Sequence, residues 1–399
     1  MTYSQTQKSL PSFKQAMTEL IATPSISSSL ISWDQSNKPL IDTLSSWFET
    51  LGFEIKIEQV VSHCDEVLKP KYNLLAKLGN GEGGLLLSGH SDTVPYDELR
   101  WDTDPFVIKE DNERFYGLGT CDMKGFFAFI LEACKSLVES NQHKKLKKPL
   151  YILATADEET TMAGARLFAE QQLIKPDVAI IGEPTELQPV NMHKGHMSHR
   201  ISVRGQSGHS SKPHLGVNAI EIMAAVIREL QHLKSNLMQS FTNQQFETDY
   251  PTLNFGAIKG GDNANRICGE CYLDIDMRAL PGLQDKDLLL LLENTLKPLQ
   301  LKHPERITVD ALHLPCPSFQ QLDVEHQNFS HVLEEIAGKS CCAVDYCTEA
   351  PFIQSVGAQT WVFGPGSIHQ AHQPNEFLAF DQINPTQDML TKLIKKVCL

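Results

Sequence analysis

Apolar positions recur at two spacings along this chain, and the alternation between the spacings sets out its elements. Residues 11–23 and 39–51 carry them at helical intervals, and the second stretch stops at Gly52. Residues 54–60 alternate in the manner of a half-buried strand, and 72–78 read as another. Leu85-Leu-Leu opens a further strand that runs into polar His90 and Asp92, and residues 126–139 read as a strong helix. Leu150-Tyr-Ile-Leu-Ala-Thr155 is continuously apolar and β-prone, follows Pro149, and empties into Asp157-Glu-Glu159 before a helix-like stretch at 162–169. The segment 176–185 is one more buried strand, ending in Glu183. Strands alternating with helices predict an α/β fold with a mixed, largely parallel sheet flanked by helices.

Near residue 188 the texture changes. Strand 199–205, helix 217–233, strands 252–257 and 271–278, helix 285–296 and strand 306–310 form a β-α-β-β-α-β set. This pattern predicts a small α+β domain at 189–314 inserted into a first domain made of 1–188 and 315–399. The returning segment holds an expected helix from about 325 to 338, a strand at 360–363 and a C-terminal helix. A hinge near 188 and 314 would permit closure over a substrate.

Composition narrows the function classes. The 399 residues suffice for two or three domains at roughly 150 residues each. A formal charge of −14 argues against nucleic acid and against anionic membrane surfaces as partners. No apolar run approaches the roughly 20 residues of a bilayer span, and the N-terminal residues lack a signal-peptide core, so a cytosolic location is expected. Ten cysteines are scattered, with Cys268-Gly-Glu-Cys271 an isolated CxxC and Cys341-Cys342 a vicinal pair. Without a matched second pair they read as reduced thiols rather than a zinc knuckle.

The chemistry gathers where strands finish. Ligands in open α/β sheets bind beyond the carboxyl ends of strands. His90, Asp92, Asp122, Glu158, Glu159, Glu183 and His372 end or follow such strands. Each has an ordinary alternative: His90 as a hydrogen-bonded core histidine, Asp122 as the cap of the following helix, Glu183 as a strand terminus. Together they make a nitrogen and oxygen donor set suited to Zn²⁺ or Co²⁺, with more donors than one tetrahedral ion takes. Two ions about 3.5–4 Å apart would use them.

Five ordered motifs carry a resemblance: Ser88-Gly-His-Ser-Asp-Thr-Val-Pro95, Gly117-Leu-Gly-Thr-Cys-Asp-Met-Lys-Gly125, Asp157-Glu-Glu159, Gly182-Glu-Pro-Thr185 and His372. The chain resembles the dinuclear zinc aminoacylase/carboxypeptidase family, and the likeness continues through Gly208-His-Ser-Ser-Lys-Pro213, Asn265-Arg-Ile267 and Asp276-Met-Arg-Ala-Leu-Pro-Gly282. The resemblance implies a zinc-exopeptidase-like catalytic domain and a ferredoxin-like inserted domain through which the chain forms a homodimer. It implies that His90 and Glu183 hold one ion, Glu159 and His372 the other, and Asp122 bridges them. Asp92 would accept the His90 imidazole N–H, and Glu158 would serve as general base and then acid. His209, contributed across the dimer, would stabilise the oxyanion, Asn265 and Arg278 would grip a substrate carboxylate, and Glu349 would face its side chain. The expected reaction is deacetylation of N2-acetyl-L-ornithine, a small-molecule substrate. The rivals are desuccinylation of N-succinyl-diaminopimelate, a broader N-acyl-amino-acid deacylase, and a non-catalytic metal-binding interaction protein. Cys268 stands where the family often has proline after Asn-x-Ile.

Overall fold

A computed structural model describes residues 9–61, 69–321 and 329–399. The chain divides into two compact units, the first made of Met1–Asn191, Gln321–Cys341 and Thr348–Leu399, the second of Met192–Gln320 and Cys342–Cys347. The second thus differs from the inserted segment expected at 189–314: it starts at Met192, runs on to Gln320 and takes in the short run Cys342–Cys347. No described helix is long and apolar enough to cross a membrane.

The first unit is built on a sheet whose strands run in the order Glu54–Val60, Lys71–Leu78, Leu150–Thr155, Leu85–His90, Val178–Pro184 and Gln359–Gly364. The last four are mutually parallel, and the first two add an antiparallel edge. Every residue of Leu85–His90, Leu150–Thr155 and Val178–Pro184 is buried, which is why these strands read as unbroken apolar runs rather than alternating ones. Helix Phe126–Glu139 buries nine side chains, and Phe126 packs so closely that a Cβ on Gly182 would sit 2.1 Å from its ring. Gly182 therefore lets that helix settle against the strand that carries Glu183. Helix Phe13–Ile21 starts at a reciprocal capping box between Ser12 and Gln15. The expected helix from 325 starts at Ser330, and positions 325–328 lie outside the described residues. A small antiparallel sheet of Lys109–Asp111, Arg114–Tyr116 and Phe377–Ala379 has no counterpart in the sequence reading.

In the second unit, strands Thr252–Gly260, Glu270–Arg278, Met197–Arg204 and Ile307–Ala311 form an antiparallel sheet in that order. Alternate residues of Met197–Arg204 are buried. They share a core with helices Ala219–Ser240 and Asp285–Lys302, among them Ile201, Val203, Val226, Leu230 and Leu292.

Candidate metal centre

Register brings the strand ends together. Leu85–His90 lies parallel between Leu150–Thr155 and Val178–Pro184, with His90 opposite Thr155. The turn Asp157–Glu159 therefore leaves the sheet beside His90. Asp122 arrives on the loop before Phe126–Glu139, across a cis peptide bond to Met123, and His372 follows the short 3₁₀ turn Ile368–Gln370 with φ at 59°.

The donors converge. His90 Nε2 lies 3.0 Å from Asp122 Oδ1 and 3.8 Å from Glu183 Oε1. His372 Nε2 lies 3.0 Å from Glu159 Oε2 and 3.6 Å from Asp122 Oδ2. Asp122 thus offers one oxygen to each imidazole. Ligand atoms of His90, Asp122 and Glu159 fall within 4.8 Å of one another, as do those of His90, Glu158 and Glu183.

Burial, reinforced by the charge of Glu183, pushes Glu158 well above the usual carboxylate range. Burial likewise raises Glu159 and, more strongly, Glu183, against the pull of His90. Burial opposes charge on His90, but the Asp122 hydrogen bond and the surrounding carboxylates outweigh it and raise its pKa well above the usual value. The Glu159 hydrogen bond raises His372 to about 9. A cluster of buried carboxylates that must otherwise take up protons is one that fits divalent cations, in oxygen and nitrogen chemistry suited to zinc or its neighbours.

Supporting contacts correct one sequence reading. Asp92 does not take the imidazole N–H on its carboxylate: its backbone carbonyl accepts from His90 Nδ1 at 3.0 Å, while the carboxylate stands 3.8 Å away. The carboxylate instead accepts the backbone N–H groups of Glu158 and Glu159, each at 3.2 Å, and so holds the acidic turn. The three adjacent acids also part company. Asp157 turns back to Ser27 Oγ at 2.7 Å and to the buried Lys71 ammonium at 3.3 Å, which Asp34 shares at 2.8 Å. Glu349 is buried and accepts from Thr155 Oγ1 at 2.8 Å, its pKa raised to about 7 by burial.

Glu376 is the residue that sequence reasoning missed. It is buried, and its carboxylate accepts the backbone N–H groups of Gly119, Cys121 and Asp122. It fixes the loop that presents Asp122. Its position four residues after His372 was the one available signal.

Eight of the sequence-predicted site residues, His90, Asp92, Asp122, Glu158, Glu159, Glu183, Glu349 and His372, lie in the first unit. His209, Asn265 and Arg278 lie in the second. There His209 pairs with Arg266 in a two-residue ladder and is exposed, as is Asn265, whose carbonyl accepts from Ser210 N–H at 3.1 Å. Arg278 ends its strand with Nε 3.1 Å from Asp276 Oδ1.

Residues 86–396 match the family described as peptidase family M20/M25/M40. The chain belongs to that family. Among curated relatives, the acetylornithine deacetylase of Proteus mirabilis is 52% identical over 390 residues, 98% of each chain. That of Vibrio vulnificus is 53% identical over 98% of this chain and 99% of its own. Of solved structures, an M20 family metallo-carboxypeptidase from Sulfolobus solfataricus superposes with a TM-score of 0.74 at 18% identity, covering 97% of this chain and 99% of that one. A tripeptidase from Staphylococcus aureus gives 0.73 at 19% identity, over 96% and 97%. These two share the fold of this M20-family chain.

Proposed function

We propose that this M20-family enzyme hydrolyses N2-acetyl-L-ornithine to L-ornithine and acetate. The relatives that are about half identical over nearly their whole length support this reading of the substrate. The observation that carries the chemistry is the pair of imidazoles facing the two oxygens of one carboxylate, Asp122. His90 and Glu183 would hold one divalent ion and Glu159 and His372 the other, with Asp122 shared between the two sets. Two such ions, zinc or cobalt, would supply Lewis-acid polarisation of the amide carbonyl and a more acidic water.

The chain's residues then have distinct tasks. Glu158 takes the proton of the attacking water and delivers it to the leaving amine nitrogen, so the C–N bond breaks as the new C–O bond completes acetate. Its carboxylate lies within 4.8 Å of the ligand atoms of His90 and Glu183, in reach of a water beside them. Asp92 keeps the Glu158–Glu159 turn in place through two backbone N–H groups. Arg278 and Asn265 bind the substrate carboxylate, Glu349 faces its side-chain ammonium, and His209 serves the oxyanion from the other copy of a cytosolic homodimer.

Side-by-side kcat/KM values for N2-acetyl-L-ornithine and N-succinyl-diaminopimelate test the assignment. Faster turnover of the acetyl compound is expected, and faster turnover of the succinyl compound overturns it.

A further inference from the structure

The second unit holds a cluster in which four groups have no part in the hydrolytic reading. Asp276 binds His196 Nε2 with one oxygen at 2.7 Å and Arg278 Nε with the other at 3.1 Å. His196 and Cys316 face each other in an antiparallel bridge, each backbone N–H donating to the other's carbonyl at 2.8 Å. The Arg278 guanidinium donates to Cys347 Sγ at 3.9 Å. The Cys316 thiol, which donates to the Pro317 carbonyl at 3.6 Å, and the His196 side chain also lie beside that sulfur and favour its charged form. One sulfur therefore meets a second thiol, an imidazole and a guanidinium, the setting that turns a thiol into a reactive thiolate. The neighbouring Cys316 thiol outweighs burial and holds Cys347 well below the usual thiol range. Cys134 and Cys398, by contrast, are raised by burial in the first unit. Cys347 is half-buried and Cys316 is buried at 3% exposure.

We infer that Cys316 and Cys347 are a redox-sensitive pair, with Cys347 the sulfur that a hydroperoxide oxidises and Cys316 the thiol that resolves the product. The Cys347 sulfur attacks one peroxide oxygen; the O–O bond breaks and the other oxygen leaves as hydroxide, which is protonated to water. The Cys316 sulfur then attacks the Cys347 sulfenic acid, forming the S–S bond, losing its proton and expelling a second water. Two thiols and one hydrogen peroxide give one disulfide and two waters. Closure removes the charged sulfur from beside Arg278.

The test uses full-length, metal-loaded protein and hydrogen peroxide. After mild oxidation the remaining thiols are blocked with N-ethylmaleimide under denaturing conditions, and unreduced digests are read by mass spectrometry. The expected result is a peptide joining residues 316 and 347, released by reductant, with Cys134, Cys268, Cys271 and Cys398 blocked as thiols. The C316S variant should instead keep a dimedone-reactive sulfenic acid at Cys347. Recovery of Cys316 and Cys347 as blocked thiols while other cysteines oxidise would overturn the inference, and this arm needs no variant to fold. Unchanged oxidation of Cys316 in C347S would overturn it as well.

Discussion

Replacing Glu376 with alanine should damage the centre without removing any proposed ligand. Its carboxylate accepts from Cys121 N–H at 2.7 Å, from Asp122 N–H at 2.9 Å, and from Gly119 N–H with both oxygens at 3.1 and 3.0 Å. The variant leaves three buried amide donors without that acceptor. At about 1–3 kcal/mol per unsatisfied group the loss is roughly 3–9 kcal/mol, and water entering the vacated space reduces it to about 3–5 kcal/mol. Glutamine keeps one oxygen, so Glu376→Gln should cost only about 1 kcal/mol. Burial, with the charge of Asp122 adding to it, raises Glu376 from its ordinary 4.5 to about 8. The folded chain therefore binds an extra proton between those values, and stability contributed by this group falls as pH rises through that window. Urea unfolding of the metal-free chain, followed by tryptophan fluorescence at several pH values, reads both effects. A Glu376→Ala protein with the wild-type midpoint and pH slope would refute the role assigned to this acid.

Two further outcomes follow from the same geometry. Asp92→Ala should lower kcat at least about tenfold, because each lost hydrogen bond to a charged acceptor is worth about 1.5–3 kcal/mol. The His90 tautomer should persist on the Asp92 carbonyl, as ¹⁵N shifts of the imidazole can report, and a changed tautomer would contradict the corrected reading. Metal affinity, measured by chelator competition, should climb with pH across the neutral range, since the ion must displace the His372 proton held up to about 9 by Glu159. An affinity indifferent to pH would remove His372 from the ligand set.

Legibility in the sequence followed the range of the interaction. The strands Leu85–His90 and Leu150–Thr155 were readable because burial on both faces leaves continuous apolar runs, and the acids behind them stood out for the same reason. The strands Lys109–Asp111, Arg114–Tyr116 and Phe377–Ala379 were not, because three residues carry no periodicity. Asp92 was recognised as a residue and misread as an atom, since a pattern of side chains says nothing about which group of an aspartate, carbonyl or carboxylate, meets the neighbouring ring. Glu376 escaped because its partners are backbone amides more than 250 positions earlier, and amides have no signature in a sequence. Lys71 fell just before the strand expected at 72–78, and only the fold brings its ammonium to Asp34 and Asp157.

Metal content and acetate release, determined on the same preparations of the wild type and Glu158→Ala, test the central claim most directly. The account predicts about two divalent ions per chain in both proteins, one acetate per ornithine from the wild type, and a loss of about 10²–10⁴-fold in the variant. Full wild-type activity with fewer ions, or a variant within about tenfold of the wild type, would contradict it.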